Sequence, residues 1–356
     1  MSELRINNIT DTAGSSGPII AGVSTVTSTS HMVMPSGPTE MRGGRGRGVF
    51  GTGYNNAPNS SLNSMQFVTI ATRGNTEDFG DLADSSIGKA SFGSATRGFF
   101  AGGDSVPGHA DNKAIEFTIM SSSGGGNDFG DMSSTKAYLN GMSNDVRGFM
   151  VGGATTPEYV NKNTIEFVTM ASTGDASDFG DLSTTTRNGS SAASNTRGIL
   201  QLGQTNPLPG NNLIEFITLS TLGNSQNFGE VSTLSKTGAA AVASSTRACF
   251  LAGTGTTGNG SHVSNVIDFV TISTLGNAQD FCDTTVAVSA LAGASNSTRG
   301  LHAGGRTGTP AAEALQNVIG FITIASQGVD ASDFGDLVTP TRYLAGCSDS
   351  HGGIGE

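Results

Sequence analysis

The chain has 356 residues, 52 of them glycine, with 13% charged residues and a formal net charge of −11. An acidic chain of this kind is not drawn nonspecifically to nucleic acid, and no apolar run approaches the roughly 18 residues needed to span a bilayer, so neither nucleic acid binding nor membrane insertion is expected. Three cysteines, Cys249, Cys282 and Cys347, argue against a disulfide framework and fit synthesis in a reducing cytoplasm; the opening "MSELRINNIT" lacks the basic-then-apolar layout of a secretory signal.

Residues 1–46 stand apart from everything after them. They are polar and punctuated by Gly and Pro, with two strand-like runs, "IIAGVSTVTST" and "HMVMP". Such a segment buries no core of its own and reads as an extended N-terminal arm that orders on a partner. Its candidate docking residues are Ile9, Pro18, Ile19, Ile20, Met32, Val33, Met34 and Pro35. "RGGRGRG" at 42–48 reads as a hinge between arm and body.

From residue 47 a phrase recurs: "RGVFGTG", "RGFFAGG", "RGFMVGG", "RGILQLG", "RACFLAG" and "RGLHAGG", led by Arg47, Arg97, Arg147, Arg197, Arg247 and Arg299. One supersecondary unit per repeat is implied. Each unit runs in the same order. The phrase is followed by a variable polar loop, and then by a β-branched and aromatic run such as "IEFVTMAS". A turn such as "GDAS" comes next, then "DFGDL" or a variant, and finally a small apolar run such as "YLNGMS". Four strands of about five residues with short turns make an antiparallel sheet, and six such sheets around an axis make a β-propeller. The first unit lacks its innermost strand and the last run, 343–348, is an innermost strand without a successor. Pairing 343–348 with 47–53 closes the ring without an exposed edge. The domain expectation is an arm over 1–46 and an all-β six-bladed propeller of four-stranded antiparallel blades over 47–356.

Two rings of phenylalanine are expected between blades: Phe79, Phe129, Phe179, Phe228, Phe281 and Phe334 of the "DFG" phrase, and Phe67, Phe117, Phe167, Phe216, Phe269 and Phe321. The repeated Arg is expected to pair with the acidic residue closing that phrase, namely Asp81, Asp131, Asp181, Glu230, Asp283 or Asp336; a functional basic ring is the alternative.

The "GG" at a strand end, after a small-residue strand, resembles the layout of kelch-type propellers, although this chain has no Trp and uses Phe instead. A second resemblance covers essentially the whole chain. "ITDTAGSSGPIIAG" looks like the opening of many tailed-bacteriophage fibre and virion proteins. "MPSGPTEMRGGRGRGVFG", with the repeats carrying "IEFVT", "DFGDL" and "TRG", is similar to structural proteins of phages infecting marine cyanobacteria. It implies a virion component of the tail or capsid surface, assembled in the host cytoplasm. Its arm would dock on other virion proteins and its propeller would meet a host surface glycan or protein, with a homo-oligomer as an open expectation. A freestanding carbohydrate- or protein-binding propeller, a lectin or scaffold, is the alternative.

Motifs for chemistry are sparse. His31, His109, His262, His302 and His351 lack metal-ligand spacing, and His302 falls where other repeats have Phe50, Phe100 or Phe250, which suggests a satisfied core position. "GTGTTGNG" at 253–260 has no Lys-Ser/Thr ending and reads as a surface loop. The "DFGD" phrases read as turn caps, with calcium binding a weaker alternative. Neither catalytic residues, nor metal ligands, nor a cofactor are assigned, and the expectation is a non-enzymatic protein. Strand polarity puts the uniform "TRG" turns on one face, together with the entry of the arm and the end of the closing strand. The opposite face carries six diverse loops, where recognition usually lives. Their candidate contact residues are Asn55, Asn56, His109, Asp111, Glu158, Tyr159, Asn211, His262 and Arg306.

Overall fold

The computed structural model of the protein describes residues 46–56, 59–205, 211–232, 236–257, 260–308 and 313–354. The candidate docking residues of the arm lie outside them. Among the described residues the chain is all β, folded as a six-bladed β-propeller.

From the axis outward, blade 1 consists of Ala345–Ser348, Arg47–Asn55, Ser60–Thr69 and Glu77–Ser86, and blade 2 of Ala90–Gly93, Arg97–Ala101, Ala114–Ile119 and Asn127–Asp131. Blade 3 is built of Asn140–Ser143, Arg147–Val151, Val160–Thr169 and Ser177–Thr186, and blade 4 of Ser190–Ala193, Arg197–Gln201, Leu213–Thr218 and Gln226–Glu230. Blade 5 comprises Ala240–Ala243, Arg247–Thr257, Gly260–Thr271 and Gln279–Asp283, and blade 6 Ala292–Ser295, Arg299–Ala303, Val318–Thr323 and Ser332–Asp336. The last strand closes the ring as expected: Ser348 pairs with Gly48, Cys347 with Val49, Gly346 with Phe50 and Ala345 with Gly51, all antiparallel.

Several strands run well beyond five residues. In blades 1 and 5 the ladder shifts register at Gly51/Gly53 and Leu251/Gly253 and then continues outward. Thr52 and Ala252 take left-handed φ values of 60° and 55° there, the conformation that Gly102, Gly152 and Gly304 supply in other blades. Residues 253–257 therefore pair with 260–264 as a β-ribbon, with Gly255 opposite His262, where a surface loop was expected.

The hydrophobic core lies between blades. Each of six buried clusters joins two neighbours; Phe50, Val68 and Ile70 of blade 1, for instance, pack against Leu301, Phe321 and Phe334 of blade 6. The "DFG" phenylalanines are buried at every blade and meet the second Phe ring edge-on, as at Phe167 and Phe179, whose centroids are 5.9 Å apart.

The repeated arginine does not pair with the carboxylate of "DFGDL". Its guanidinium lies over the second-ring Phe of its own blade, 4.6 Å from the Phe167 centroid for Arg147, and Nη1 donates to a main-chain carbonyl of the next blade. Arg47 reaches Met120 O at 2.7 Å, Arg97 Met170 O at 2.9 Å, Arg147 Leu219 O at 3.0 Å and Arg197 Ile272 O at 2.8 Å. Arg247 reaches Ile324 O and Arg299 crosses back to Ile70 O, each at 3.1 Å. A carbonyl already fixed by the neighbouring sheet, beneath an aromatic platform, is a better partner than a solvated carboxylate on a mobile side chain.

The "DFGD" phrase makes a second junction and does act in a turn cap, completed by the next blade. The amides of Gly174 and Ala176 donate to Phe129 O and Asp131 O, and the Asp175 carboxylate accepts from the Asp131 N–H at 3.0 Å. Across the closing junction Gly74 and Thr76 donate to Phe334 O and Asp336 O, and Asn75 Oδ1 accepts from Asp336 N. The central glycine leaves room for this approach: a Cβ on Gly180 would sit 2.5 Å from Gly223 O, at a φ of +149°. Cys282 replaces that glycine in blade 5, and the turn it faces, 324–331, is one residue longer than the corresponding 272–278.

Polar groups inside blades are mostly paired. Lys89 lies 3.3 Å from Glu116, Lys236 lies 2.6 Å from Asp268, and Lys136 contacts Glu166, all almost fully buried. Burial pushes the Lys89 and Lys236 pKa values down against the pull of their carboxylates. At the equivalent place in blade 6, Gly320 stands opposite His302 and the imidazole occupies the space a longer side chain would need. His302 is a core residue, as expected, but not a satisfied one: neither ring nitrogen has a partner among the described residues. The neighbouring polar side chain has been traded for glycine, and burial lowers the His302 pKa to about 4.

Phe179→Ala should cost about 3–5 kcal/mol by opening a cavity between blades 3 and 4. Chemical unfolding measures it, and a loss below about 1 kcal/mol would place the ring outside the core. His302 stays neutral in the folded chain, whereas an unfolded histidine takes up a proton near pH 6.5. Its contribution is therefore complete above about pH 6.5 and is lost as the pH falls towards 4, by as much as about 3 kcal/mol. His302→Phe, borrowing the residue of Phe50, Phe100 and Phe250, should flatten that slope in unfolding measured at several pH values; an unchanged slope would clear His302 of the effect.

Candidate functional site

The two faces of the ring differ as strand direction demands. On the uniform face Gly46 O accepts from Ile70 N, and the chain after the closing strand turns in beneath the axis. There Asp349 Oδ1 accepts from Arg47 N at 2.8 Å and Gly352 N donates to Ala243 O at 3.0 Å. His351 Nε2 lies 2.9 Å from Gly93 O and 3.0 Å from Ser143 Oγ, and its Nδ1 accepts from Gly353 N. This half-buried imidazole, whose pKa burial lowers, ties the segment to blades 2 and 3 across one end of the axial channel.

The other face carries the varied loops and the open end of the channel. The residue two positions before each innermost strand forms its rim: Gly88, Tyr138, Asn188, Gly238, Ala290 and Tyr343, all left-handed with φ between 53° and 63°. Their amides chain around the axis. Gly88 N donates to Tyr343 O, Tyr343 N to Ala290 O, Ala290 N to Gly238 O, Gly238 N to Asn188 O and Asn188 N to Tyr138 O, at 2.7–3.1 Å. The last link runs from Leu139 N to Gly88 O at 3.3 Å, one residue out of step. The rim is thus a closed ring of backbone hydrogen bonds, a fixed frame for the six side chains it carries.

All four tyrosines of the chain gather beside this rim, from places as far apart in sequence as 54 and 343. Tyr138 lies 5.5 Å from Tyr343 and 5.9 Å from Tyr159, centroid to centroid. Arg342 sits 4.6 Å over Tyr54 and 5.5 Å from Tyr343, and Arg187 sits 4.9 Å over Tyr159. Gly88 makes the Tyr138 packing possible, because a Cβ there would lie 2.9 Å from Tyr138 Cδ1. Tyr138 is 7% exposed; burial and the neighbouring Tyr159, Tyr343 and Asp104 push its hydroxyl pKa well above the usual tyrosine range. The cluster offers aromatic edges and faces with cationic flanks, and the Tyr138 hydroxyl stays protonated.

The residues expected from sequence all fall on this face, but only some meet. Tyr159 belongs to the aromatic cluster. Asp111 accepts from Thr156 N at 2.6 Å and Thr156 Oγ1 at 2.7 Å, bridging the loops of blades 2 and 3; burial raises its pKa and the Thr156 hydrogen bonds oppose that. His109 is exposed, with Nδ1 2.9 Å from the buried Asp104. Arg306 shares the Glu313 carboxylate with Arg342, each at 2.8 Å. Asn211 serves its own turn, donating to Gly203 O and capping Leu213 N. Asn55 is half-buried at its hairpin, while Asn56, Glu158 and His262 are exposed.

Tyr54, Tyr138, Tyr343, Arg187 and Arg342 were not expected. The available signal lay in the alignment of repeats, where Tyr138 and Tyr343 occupy a position held elsewhere by Gly, Ala or Asn. A tyrosine forced into left-handed backbone at a glycine-like position is a costly choice and marks a site worth attention. Among the described residues, no group of three or more His, Cys, Asp or Glu is arranged to hold a metal ion. No protein-family model matches the chain, and no curated protein is recognisably similar to it.

Proposed function

We propose that the protein is a non-enzymatic virion structural protein of a tailed bacteriophage, in which the N-terminal arm anchors the propeller on tail or capsid and the varied face is displayed for host adsorption. The observation that carries it is the polarity of the ring. The first described residue, Gly46, meets the uniform face, where the repeated turns offer nothing distinctive. The face turned away from it concentrates the varied hairpins and the tyrosine–arginine cluster. A particle-bound protein needs that division: one side committed to attachment, the other free to vary on a rigid scaffold. The similarity of the arm and the repeats to fibre and virion proteins supports the same assignment, as does their likeness to structural proteins of cyanobacterial phages.

A freestanding lectin or scaffold is the second reading. The aromatic cluster favours it, since that cluster would serve recognition with or without a particle. Removal of residues 1–45 separates the two. The virion reading predicts a folded propeller that no longer co-purifies with assembled particles. Particles that still carry the shortened chain would overturn arm-based anchoring. Replacement of the 154–163 loop should leave incorporation intact and change host binding; lost incorporation with unchanged host binding would reverse the two faces.

A further inference from the structure

We propose that the open mouth of the axial channel binds the terminal sugar unit of a neutral glycan, with Tyr343, backed by the buried Tyr138, as its aromatic wall and Asn188 as its polar partner. This deepens the reading of the varied face as the recognition face and rests on it.

The mouth is lopsided although the backbone around it is six-fold. Tyr343, Gly88 and Tyr138 occupy consecutive rim positions in blades 1, 2 and 3, and the two rings lean together over the glycine. The opposite half of the rim carries only Asn188, Gly238 and Ala290. An aromatic wall therefore faces an open notch, the shape into which a flat, ring-sized ligand fits with one face against the wall. Inside lies a funnel of about 110 Å³, walled largely by the innermost strands with their Gly, Ala and Ser residues. Backbone amides, hydroxyls and Asn188 present hydrogen-bonding groups there, while aliphatic surface is limited.

Charge narrows the ligand class. Among the described residues lining the funnel the only charged one is Lys89, which is fully buried and held by Glu116 at 3.3 Å. Arg342 beside Tyr343 is already committed to Glu313 at 2.8 Å, so a carboxylated or cationic ligand would lose its hydration in the funnel without gaining an unpaired counter-charge. A polyhydroxylated ring suits the lining: its hydroxyls answer the polar groups and its axial C–H face packs on tyrosine.

The far end selects chain termini. Ser91, Gly141, Ser191, Ala241, Gly293 and Gly346 line both the funnel and a smaller chamber of about 60 Å³ below it. His351 lines that chamber and is fixed to Gly93 and Ser143. The segment carrying His351 crosses this end of the channel, with Gly352 N donating to Ala243 O, which favours a chain terminus over a threaded polymer. The rim is also prepared before any ligand arrives, since its backbone ring and the Tyr138–Tyr343 contact already hold the wall in place, which reduces the ordering cost of binding.

The test uses the full chain and two exchanges between equivalent rim positions. Tyr343→Ala introduces the residue found at 290, and Ala290→Tyr introduces the residue found at 138 and 343, so each keeps a side chain this backbone already carries. A panel of neutral oligosaccharides ending in glucose, galactose, mannose or N-acetylglucosamine, with a sialic-acid-terminated one beside them, is screened by saturation-transfer NMR and titration calorimetry. The expected result is binding of at least one neutral member through its terminal unit. Affinity should fall at least about tenfold in Tyr343→Ala, by loss of the wall, and in Ala290→Tyr, by filling of the notch. Lack of binding to any neutral member, a preference for the sialylated one, or wild-type affinity in either variant would overturn the inference. Host adsorption of particles carrying Tyr343→Ala should fall as well, and adsorption at the wild-type level would count against the mouth while leaving the virion assignment standing. Absence of the chain from purified particles would overturn that assignment and leave the sugar site intact.

Discussion

One guanidinium per blade, laid on a phenylalanine and donating to a carbonyl of the next blade, is the contact on which the rest of the ring depends. The charge stays half-hydrated at the surface while its planar face covers the aromatic ring, so the group gains a partner without full desolvation. A charge-assisted hydrogen bond of this kind contributes on the order of 1.5–3 kcal/mol. What matters more is its direction, because blade n always reaches blade n + 1. The "DFGD" turn obeys the same rule, with its carbonyls taking amides from the following blade. Contacts that point forward can all be satisfied only if the sixth blade finds the first, as Arg299 finds Ile70 and Gly74 finds Phe334. The fifty-residue period is thus the period of the junction, and each repeated residue is repeated because its neighbour's copy completes it.

This division of labour leaves the two faces under different constraints. Turns on the uniform face carry the junctions and cannot vary much. On the opposite face the hairpins extend freely past the last forward contact, which is why the ladders of blades 1 and 5 run on as ribbons. The rim is the exception on that face, since its backbone forms a closed hydrogen-bonded circle. Side chains at those six positions vary on a frame that does not. A tyrosine pair placed there inherits the rigidity of the ring, and the remaining tyrosines and two arginines pack around it.

Much of the architecture was legible in the residues. β-branched runs at a regular spacing, glycine pairs at strand ends and an unmatched strand at each end of the repeats describe a closed ring of antiparallel sheets without reference to coordinates. The "DFG" phenylalanines read as core for the same reason. The arginine's partner did not. Opposite charges at a fixed spacing suggest an ion pair, whereas the true acceptor is a backbone carbonyl 72–77 residues away, or 229 at the closing junction, and backbone acceptors leave no mark in a sequence. The tyrosine cluster was hidden differently, since its members are scattered through blades that only ring closure brings together. His302 was legible as a core position, but its lack of hydrogen-bond partners follows from Gly320 on the adjacent strand, a pairing that needs the register. The exchange of glycine for Cys282 likewise makes sense only beside the longer turn of the next blade.

Ring closure through forward contacts has a direct readout in native-state hydrogen exchange of the intact chain. The amides of Gly74 and Thr76 span the junction between the first and last blades, and those of Gly174 and Ala176 span an internal one. If the six junctions form one cooperative ring, the two pairs exchange with comparable protection, set by global unfolding. Protection at Gly174 and Ala176 with rapid exchange at Gly74 and Thr76 would mean that the ring is open at its seam, and would contradict the account.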